Sequence, residues 1–407
     1  MSTPELQLAA LELTERARIA SRELVRMSSQ ARAKLVSSAA ENIAGRSRQI
    51  LEANELDRAN AKDLSGPMRD RLTLNPPRLE GLVRSLREVA ALPDPVGEVV
   101  EELTRPNGLR VQRVRAPLGV ILMIYESRPN VTAEAAALCL RSGNAALLRG
   151  GKEALQTNAA LLSCFEEEYA QLVPPDRTLL DSLLAAEGRI DLCIPRGGPG
   201  LIRAISEKAR IPVIQHYQGV CHLYVAPDAD LELAAKLVAN GKMSRPGVCN
   251  ALECLLVDEK IATRALPGIA AALPGVELRC DERALQSVPS GKRACAEDFG
   301  REFLDLILAV KVVDGLDGAL SHIARYGSRH TESICTRDAS IAERFLREVD
   351  ASCAMWNAST RFNDGGELGL GAEIGISTSK LHAYGPMGLR ELTCTRFVVR
   401  GDGQVRT

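Results

Sequence analysis

The sequence predicts an α/β fold built on parallel sheets. Gly119 to Tyr125 is an almost wholly apolar run, which suits a strand that is buried on both faces. From this strand onward, short apolar segments alternate with longer segments of helical periodicity, and the alternation resumes after Cys249. Such a β-α alternation indicates a parallel sheet that is covered by helices on both faces. At 407 residues, the chain has the length of two or three domains.

The segment before the first buried strand is predicted to be mainly helical. Residues 5–60 are rich in Ala, Leu, Glu and Arg and contain few helix breakers. Pro76 and Pro77 open another helical stretch, which ends near residues 92–95. Residues 98–115 alternate apolar and polar in places, which predicts an exposed strand.

The β-α units then follow in order along the chain. The predicted strands are 119–125, 145–149, 190–194, 211–214, 222–225, 252–257, 276–280, 306–313, 332–336 and 353–356. The predicted helices are 131–142, 153–170, 199–209, one that begins at Ala229, 259–272, 315–326 and 338–348. Residues 361–391 are glycine-rich and irregular, and residues 393–399 form a final strand with polar alternation.

Composition excludes several classes of protein. The net charge is −1 and aromatic residues make up 3%, so neither global attraction to nucleic acid or membrane nor a base-stacking platform is predicted. Eleven cysteines include no CxxC pair, which excludes zinc-ribbon and thioredoxin-type sites. No signal peptide is predicted, and the longest apolar stretch is too short to cross a bilayer. We therefore expect a cytoplasmic protein with free thiols.

The histidines predict no metal site. His322 and His330 are eight residues apart, a spacing that places no two metal ligands on one helix face. A structural role at a helix end is the preferred interpretation for both.

Cys249 is the cysteine whose neighbours suit chemistry. It lies in the run Met243-Ser244-Arg245-Pro246-Gly247-Val248-Cys249-Asn250, just before a predicted strand. Lys242 and Arg245 lie close upstream, and we expect their charges to favour the thiolate, which is the nucleophilic form. The alternative is a buried cysteine that acts only as a small hydrophobic residue.

Two glycine turns could hold phosphate groups. Arg196-Gly197-Gly198-Pro199-Gly200 follows a strand and opens a helix, whose free N–H groups attract anions. The dinucleotide pattern GxGxxG is absent because Arg203 stands where its last glycine would be. Arg149-Gly150-Gly151-Lys152 ends another strand, and Lys152 could pair with a ribose or its 2′-phosphate. An ordinary turn with a solvated lysine remains the alternative.

Further candidates follow the first buried strand and the last strand of the second unit. Arg128 has a planar fork that matches a phosphoryl or carboxylate group. Asn130 could donate to an oxyanion, or it could cap the following helix. Residues 357–362 and 369–378 form a polar, flexible region that either closes over a substrate or packs as a surface loop.

Taken together, the motifs resemble the gamma-glutamyl phosphate reductase (glutamate-5-semialdehyde dehydrogenase) family, a branch of the aldehyde dehydrogenase superfamily. The resemblance covers nearly the whole chain from about residue 10. The matching segments are Pro117 to Val120, Tyr125 to Thr132, Leu148 to Ala154, Ile194 to Gly198, Gly219 to His222, Arg245 to Asn250, His322 to Glu332 and Asn357 to Leu389.

The resemblance implies an aldehyde dehydrogenase-like fold, with two parallel-sheet α/β domains and a small projecting oligomerisation sheet. The cofactor-binding domain would comprise residues 1–102 and 117–226, with 379–391 returning to it. The catalytic domain would comprise 227–378, and the oligomerisation sheet 103–116 and 392–407.

The resemblance also implies a reaction and a set of site residues. Cys249 would attack L-glutamyl 5-phosphate, release phosphate and form a thioester, which NADPH would reduce to L-glutamate 5-semialdehyde, the second step of proline biosynthesis from glutamate. Asn130 would stabilise the oxyanion. The cofactor would be held by Arg149, Gly150, Lys152, Arg196, Gly197 and Gly198. The substrate would be held by Arg128, Arg245, Asn357, Ser359 and Arg361, with no metal.

The resemblance further implies a homo-oligomer that is functionally coupled to glutamate 5-kinase. It also marks a departure: residues 215–218 lack the general-base glutamate of aldehyde dehydrogenases, which a reductase that hydrolyses nothing does not need. Two alternatives stay open, a CoA-acylating aldehyde dehydrogenase and a non-catalytic oligomeric scaffold.

Overall fold

The computed structural model describes residues 3–61, 64, 66–214 and 218–406. The α-helices are α1 (Thr3–Arg26), α2 (Ser29–Gly45), α3 (Ser47–Asn60), α4 (Gly66–Leu72), α5 (Pro76–Ala91), α6 (Pro129–Arg141), α7 (Leu155–Leu162), α8 (Arg177–Leu184), α9 (Pro199–Lys208), α10 (Leu231–Met243), α11 (Ala262–Ala271), α12 (Glu282–Leu285), α13 (Gly315–Tyr326) and α14 (Ala339–Glu348). Within these described ranges, no helix has the length and apolar character that crossing a membrane requires.

The strands are β1 (Val99–Thr104), β2 (Arg110–Pro117), β3 (Val120–Tyr125), β4 (Ala145–Arg149), β5 (Ala170–Leu172), β6 (Leu192–Arg196), β7 (Cys221–Val225), β8 (Leu252–Asp258), β9 (Glu277–Cys280), β10 (Lys292–Arg293), β11 (Ile307–Val313), β12 (Thr331–Cys335), β13 (Cys353–Trp356), β14 (Ile376–Ser377), β15 (Gly385–Pro386) and β16 (Thr393–Arg400). They form two parallel sheets and one three-stranded antiparallel sheet, with a short β14–β15 pair, as the sequence predicted in outline.

The N-terminal helices pack on the smaller parallel sheet and share its apolar core. Ser28 caps α2 and Asn75 caps α5, each with its side-chain oxygen on a backbone N–H three residues on. Buried Arg32 pairs with Asp94, which also lies 3.3 Å from Arg141 of α6. These contacts join the helical layer to the element that follows β3.

The smaller parallel sheet has the strand order β5-β4-β3-β6. Every residue of β3 is buried, as expected for a strand with a neighbour on each side and helices on both faces. The chain runs outward from β3 through β4 to β5 and then returns to the other side of β3 as β6. This reversal makes a crevice between the carboxyl ends of β3 and β6, where parallel sheets bind ligands.

The larger parallel sheet has the order β10-β9-β11-β8-β7-β12-β13. Strand β7 was predicted to belong to the cofactor-binding domain, but it pairs with β8 and β12. That assignment was wrong. Every residue of β7 is buried, and a buried apolar strand can belong to either parallel sheet, so its residues alone do not say which one contains it. The rest of the predicted domain division stays a prediction.

The antiparallel sheet has the order β1-β2-β16 and joins a segment before β3 to the end of the chain. Its β1 begins at Val99, slightly before the predicted boundary at residue 103. Val99, Phe397 and Val399 are 46%, 69% and 54% exposed, so this sheet carries apolar surface that the chain itself leaves uncovered. Such surface is typical of an interface.

Several predicted elements differ from the structure. The helix predicted over 153–170 ends at Leu162, and the chain then forms β5. Helix α8 was not predicted at all. The strand predicted at 211–214 amounts to one isolated bridge between Val213 and Cys193, because Pro212 in this segment cannot donate a ladder hydrogen bond.

Candidate active site

Cys249 lies in the loop between α10 and β8, half-buried beside the segment that leads into β7. Gly219 makes this approach possible. A Cβ on Gly219 would lie 2.0 Å from the carbonyl oxygen of Cys249 and 2.8 Å from its Cα, so only glycine fits here without moving the loop.

Hydrogen bonds hold the loop on both sides of Cys249. The Cys221 thiol donates to the Cys249 carbonyl at 3.2 Å. The Asn250 amide donates to the carbonyl oxygens of Asn363 at 2.9 Å and Arg361 at 3.3 Å. Residues from remote parts of the chain therefore fix the backbone that carries the thiol.

The surroundings of Cys249 raise the pKa of its thiol to about 12. Burial is the largest cause, and the nearby carboxyl groups of Glu373 and Glu302 add to it. Arg196 and Arg128 act in the opposite direction but do not outweigh burial. The thiol is therefore protonated at neutral pH in the absence of ligand.

The pKa of the Cys249 thiol is raised rather than lowered, contrary to the expectation that Lys242 and Arg245 favour the thiolate. Lys242 is buried, and its Nζ donates to Glu253 at 2.7 Å, so its charge is neutralised within the core. Arg245 is exposed, and it is not among the groups that dominate the pKa of the thiol. Closeness to Cys249 in sequence therefore did not predict which charged groups dominate the pKa of its thiol.

Arginines surround Cys249. Arg128 is half-buried, and burial together with Arg196, Arg71 and Arg245 lowers its pKa to about 10. The pKa of Arg361 is lowered by burial and by Arg245. In the part of the chain that the structure describes, no salt bridge joins a carboxylate to any arginine of this group, which comprises Arg71, Arg128, Arg196, Arg245 and Arg361. We call this group the arginine cluster. It can hold a small molecule with more than one anionic group.

Asn130 lies in the first turn of α6 but does not cap the helix. The residue at the N-cap position is Arg128, and no side chain caps this helix. The Asn130 Nδ2 donates to Glu134 at 3.0 Å, which leaves a second N–H on the same amide. The pKa of Glu134 is raised, mainly by burial.

Asn357 and Ser359 are held in local structural contacts. The Asn357 amide donates to the Thr336 carbonyl at 2.9 Å and accepts from the Thr336 N–H at 3.0 Å. One N–H and the oxygen of that amide are used in this turn, and the predicted contact of Asn357 with a substrate stays a prediction. The Ser359 hydroxyl accepts from the Arg361 N–H at 3.3 Å, and it therefore positions the backbone of Arg361.

The two glycine turns lie at the carboxyl edge of the smaller sheet. Gly197 and Gly198 follow β6 and lead into α9, which has no side-chain cap. The Gly198 N–H donates to Glu126 at 3.2 Å, and nothing lies within 4 Å of the position that a Gly198 Cβ would occupy. Arg149, Gly150 and the exposed Lys152 lie at the end of β4, next to β3. Both turns therefore flank the crevice between the carboxyl ends of β3 and β6.

Arg196, which was predicted to hold the cofactor, also lies close enough to Cys249 to affect the pKa of its thiol. Its Nη1 donates to the Ile374 carbonyl at 2.9 Å, and its charge acts on Cys249, Glu134 and Glu373. The guanidinium thus connects the end of β6 to the region of the nucleophile.

Sequence reasoning missed four charged residues of the site, namely Arg71, Glu134, Glu302 and Glu373. Glu302 and Glu373 both have raised pKa values, mainly through burial. Glu302 comes from a segment without a motif, whereas Glu373 lies in residues 369–378, which were a candidate region in which Glu373 was given no role. The position at which we expected no general-base glutamate falls on residues 215–217, which lie outside the described residues.

Comparison with known proteins identifies relatives over the full length. The family model described as the aldehyde dehydrogenase family matches residues 7–288. The chain is 56% identical to gamma-glutamyl phosphate reductase of Anaeromyxobacter sp. (strain Fw109-5), over 97% of this chain and 96% of that protein. The crystal structure of gamma-glutamyl phosphate reductase from Thermotoga maritima is 43% identical, with a TM-score of 0.95, and covers 98% of this chain and 100% of its own.

A more distant structure is similar in fold alone. An acetylating aldehyde dehydrogenase from Geobacillus thermoglucosidasius is 16% identical, with a TM-score of 0.69 over 100% of this chain and 99% of its own. These similarities confirm the predicted aldehyde dehydrogenase-like fold.

Proposed function

This chain belongs to the aldehyde dehydrogenase family and, within it, to the gamma-glutamyl phosphate reductases, and we propose that it reduces L-glutamyl 5-phosphate with NADPH. It is an oxidoreductase of the glutamate-5-semialdehyde dehydrogenase type. The products of the proposed reaction are L-glutamate 5-semialdehyde and phosphate, and the intermediate is a thioester on Cys249.

The arginine cluster is the observation that supports this substrate most directly. L-Glutamyl 5-phosphate carries a phosphoryl group at one end and an α-carboxylate at the other. Cys249 lies close enough to Arg128 and to Arg361 to raise the pKa of each, and among the described residues neither arginine has a salt-bridge partner of its own. Two anionic groups that flank a reactive carbonyl would therefore find guanidinium groups close to the thiol.

Acyl transfer would break the bond between the carbonyl carbon and the phosphate oxygen and form the bond from carbon to Sγ. Because the pKa of the Cys249 thiol is raised to about 12, Sγ carries its proton when the substrate binds. The departing phosphate takes up that proton, so charge and atoms balance without a separate base. The arginine cluster would hold the phosphate as its negative charge grows.

Asn130 would stabilise the oxyanion that forms on the carbonyl oxygen. Glu134 accepts one N–H of the Asn130 amide at 3.0 Å and so fixes its orientation. The second N–H is left for the oxyanion, together with a backbone N–H near Cys249.

The crevice between the carboxyl ends of β3 and β6 fits a nicotinamide cofactor, which enzymes of this family use. The N-terminus of α9 carries the positive end of the helix dipole beside open space at Gly198, which suits a pyrophosphate. Arg149, Gly150 and Gly197 complete the edge, and exposed Lys152 could pair with the 2′-phosphate that distinguishes NADPH from NADH. A bound reduced cofactor supplies the hydride that reduces the thioester.

The proposal extends to setting and partners. The reaction is the second step of proline biosynthesis from glutamate, and its acyl phosphate would come from glutamate 5-kinase. All eleven cysteines are free, which supports a reducing, cytoplasmic setting. The exposed apolar residues of the β1-β2-β16 sheet support a homo-oligomer.

The test is the reverse reaction, in which semialdehyde is oxidised. We expect NADP to be reduced only when inorganic phosphate is present, with no response to CoA, and the rate with NAD to be lower. Cys249→Ala should abolish turnover while NADPH still binds with near-normal affinity, as measured by fluorescence. Phosphate-independent oxidation that needs CoA would instead identify a CoA-acylating enzyme, and an inactive wild-type protein would identify a scaffold.

A further inference from the structure

Three chemically distinctive side chains lie in one row across the larger sheet. Cys254 on β8 is the register partner of His222 on β7, and His222 is the partner of Glu332 on β12. Register partners on adjacent parallel strands point to the same face of a sheet. Alanines flank the row, since Ala309 pairs with Cys254 and Ala354 pairs with Glu332. The row therefore runs Ala309, Cys254, His222, Glu332 and Ala354 across five adjacent strands.

A second histidine from α13 covers the row. One nitrogen of His322, one nitrogen of His222 and the Cys254 Sγ all lie within 4.8 Å of one another. The Cys254 Sγ is 3.7 Å from the His322 Nε2. Two such ligands on one tetrahedral zinc ion, with bonds of about 2.3 Å to sulfur and about 2.0 Å to nitrogen, stand roughly 3.6 Å apart.

Glu332 orients His222 toward the cluster. Its Oε2 lies 2.9 Å from the His222 Nδ1, and it also accepts the backbone N–H of His222. The other ring nitrogen, Nε2, is buried and makes no hydrogen bond of ordinary geometry within the described residues. A carboxylate on one imidazole nitrogen and a metal on the other is the arrangement that metal-ligating histidines commonly adopt.

We propose that His222, Cys254 and His322 form a binding site for a zinc ion. Two neutral imidazoles and one thiolate are ligands that zinc prefers, and three protein ligands leave its fourth position for a water molecule or another small ligand. Charge supports the proposal as well. The doubly positive ion, the Cys254 thiolate and the Glu332 carboxylate sum to zero, as burial of all four protein groups requires.

The site would act on stability and on the position of the nucleophile loop. It would join α13 to the paired strands β7 and β8, on which this helix packs through apolar contacts. His222 also follows Cys221, whose thiol holds the carbonyl of Cys249. The proposal does not depend on the identity of the substrate, because it rests only on the four side chains and their register.

The first experiment measures the metal content of the full-length protein. Protein made in zinc-supplemented medium and then dialysed should retain about one zinc ion per chain by mass spectrometry of the elements. The Cys249→Ala variant should retain the same amount, which excludes binding at the other reactive thiol. Cys254→Ala and His322→Gln should lose the zinc, whereas Cys139→Ala, a buried thiol remote in sequence, should keep it. Wild-type protein that retains no zinc after supplementation would overturn the proposal.

Cobalt replacement provides a second readout that does not rely on the fold of the Cys254 variant. Added to metal-free Cys249→Ala protein, Co²⁺ should give a thiolate-to-cobalt charge-transfer band and raise Tm, because an ion that binds only the folded state stabilises it. If the protein has a native circular dichroism spectrum but shows no charge-transfer band, the cluster is a metal-free hydrogen-bonded group. A band that persists in Cys254→Ala would also contradict the site.

Discussion

Replacing Gly219 with alanine tests how Cys249, the proposed nucleophile, is positioned. The added Cβ would lie 2.0 Å from the Cys249 carbonyl oxygen, 2.7 Å from its carbonyl carbon and 2.8 Å from its Cα. Non-bonded heavy atoms keep about 3.5 Å or more between them, so the Cys249 backbone must move by on the order of 1 Å. All three contacted atoms are backbone, and no side-chain rotation relieves the clash.

A displacement of that size predicts a loss of roughly 10²-fold in kcat/KM. The free energy of unfolding should fall by about 1–3 kcal/mol, as is typical of overpacking. The assay combines steady-state kinetics in the phosphate-dependent direction with the rate at which iodoacetamide alkylates Cys249. The matched control is Gly268→Ala in α11, where nothing lies within 4 Å of the new Cβ. Wild-type kinetics in the Gly219 variant, with Tm unchanged, would refute the packing argument.

Three other perturbations follow from the site. Asn130→Ala should slow acylation by ~10²–10³-fold with Tm nearly unchanged, because its amide does not cap α6; a lower Tm at wild-type rate would contradict this. Alkylation of Cys249 should become about tenfold faster with each pH unit between pH 7 and 10, without a plateau, because the raised pKa keeps the thiol protonated there; a plateau near pH 8 would show that the pKa is not raised. Lys242→Met should reduce the free energy of unfolding by about 3–5 kcal/mol, since it leaves Glu253 buried without its partner; chemical denaturation measures this, and a loss below about 1 kcal/mol would exclude a structural role for the pair.

The candidate site was predictable where it follows short local patterns. Arg128 and the Gly197–Gly198 turn each stand between a strand and the helix that follows it, where chain direction alone predicts an exposed functional edge. Cys249 stands instead between α10 and β8, and it was singled out by the polar and charged residues near it in sequence. The structure brings Arg128 and Arg361 close to Cys249, although they are separated by more than two hundred residues in sequence. The substrate role of Asn357 stays a prediction, since the structure shows only that its amide closes a turn with Thr336.

Residues that act through space could not be predicted in this way. Glu302 has no motif around it and Glu373 was given no role within residues 369–378; their effect on the thiol appears only when folding brings three segments together. His322 was compared with His330, its neighbour in sequence, whereas the structure pairs it with Cys254 and His222 from two adjacent strands. Strand register is a tertiary property, and spacing along the chain does not encode it.

By itself the sequence determined the α/β class and most of the helices and strands, and it proposed Cys249 and the two glycine turns as candidates. Hydrophobic periodicity and turn chemistry act over a few residues, so they can be read locally. Tertiary structure alone decided which sheet contains β7, which charged groups shift the pKa of Cys249, and which side chains lie in one row with His222. Burial and electrostatic interaction depend on distance in space, and only the packed chain defines those distances.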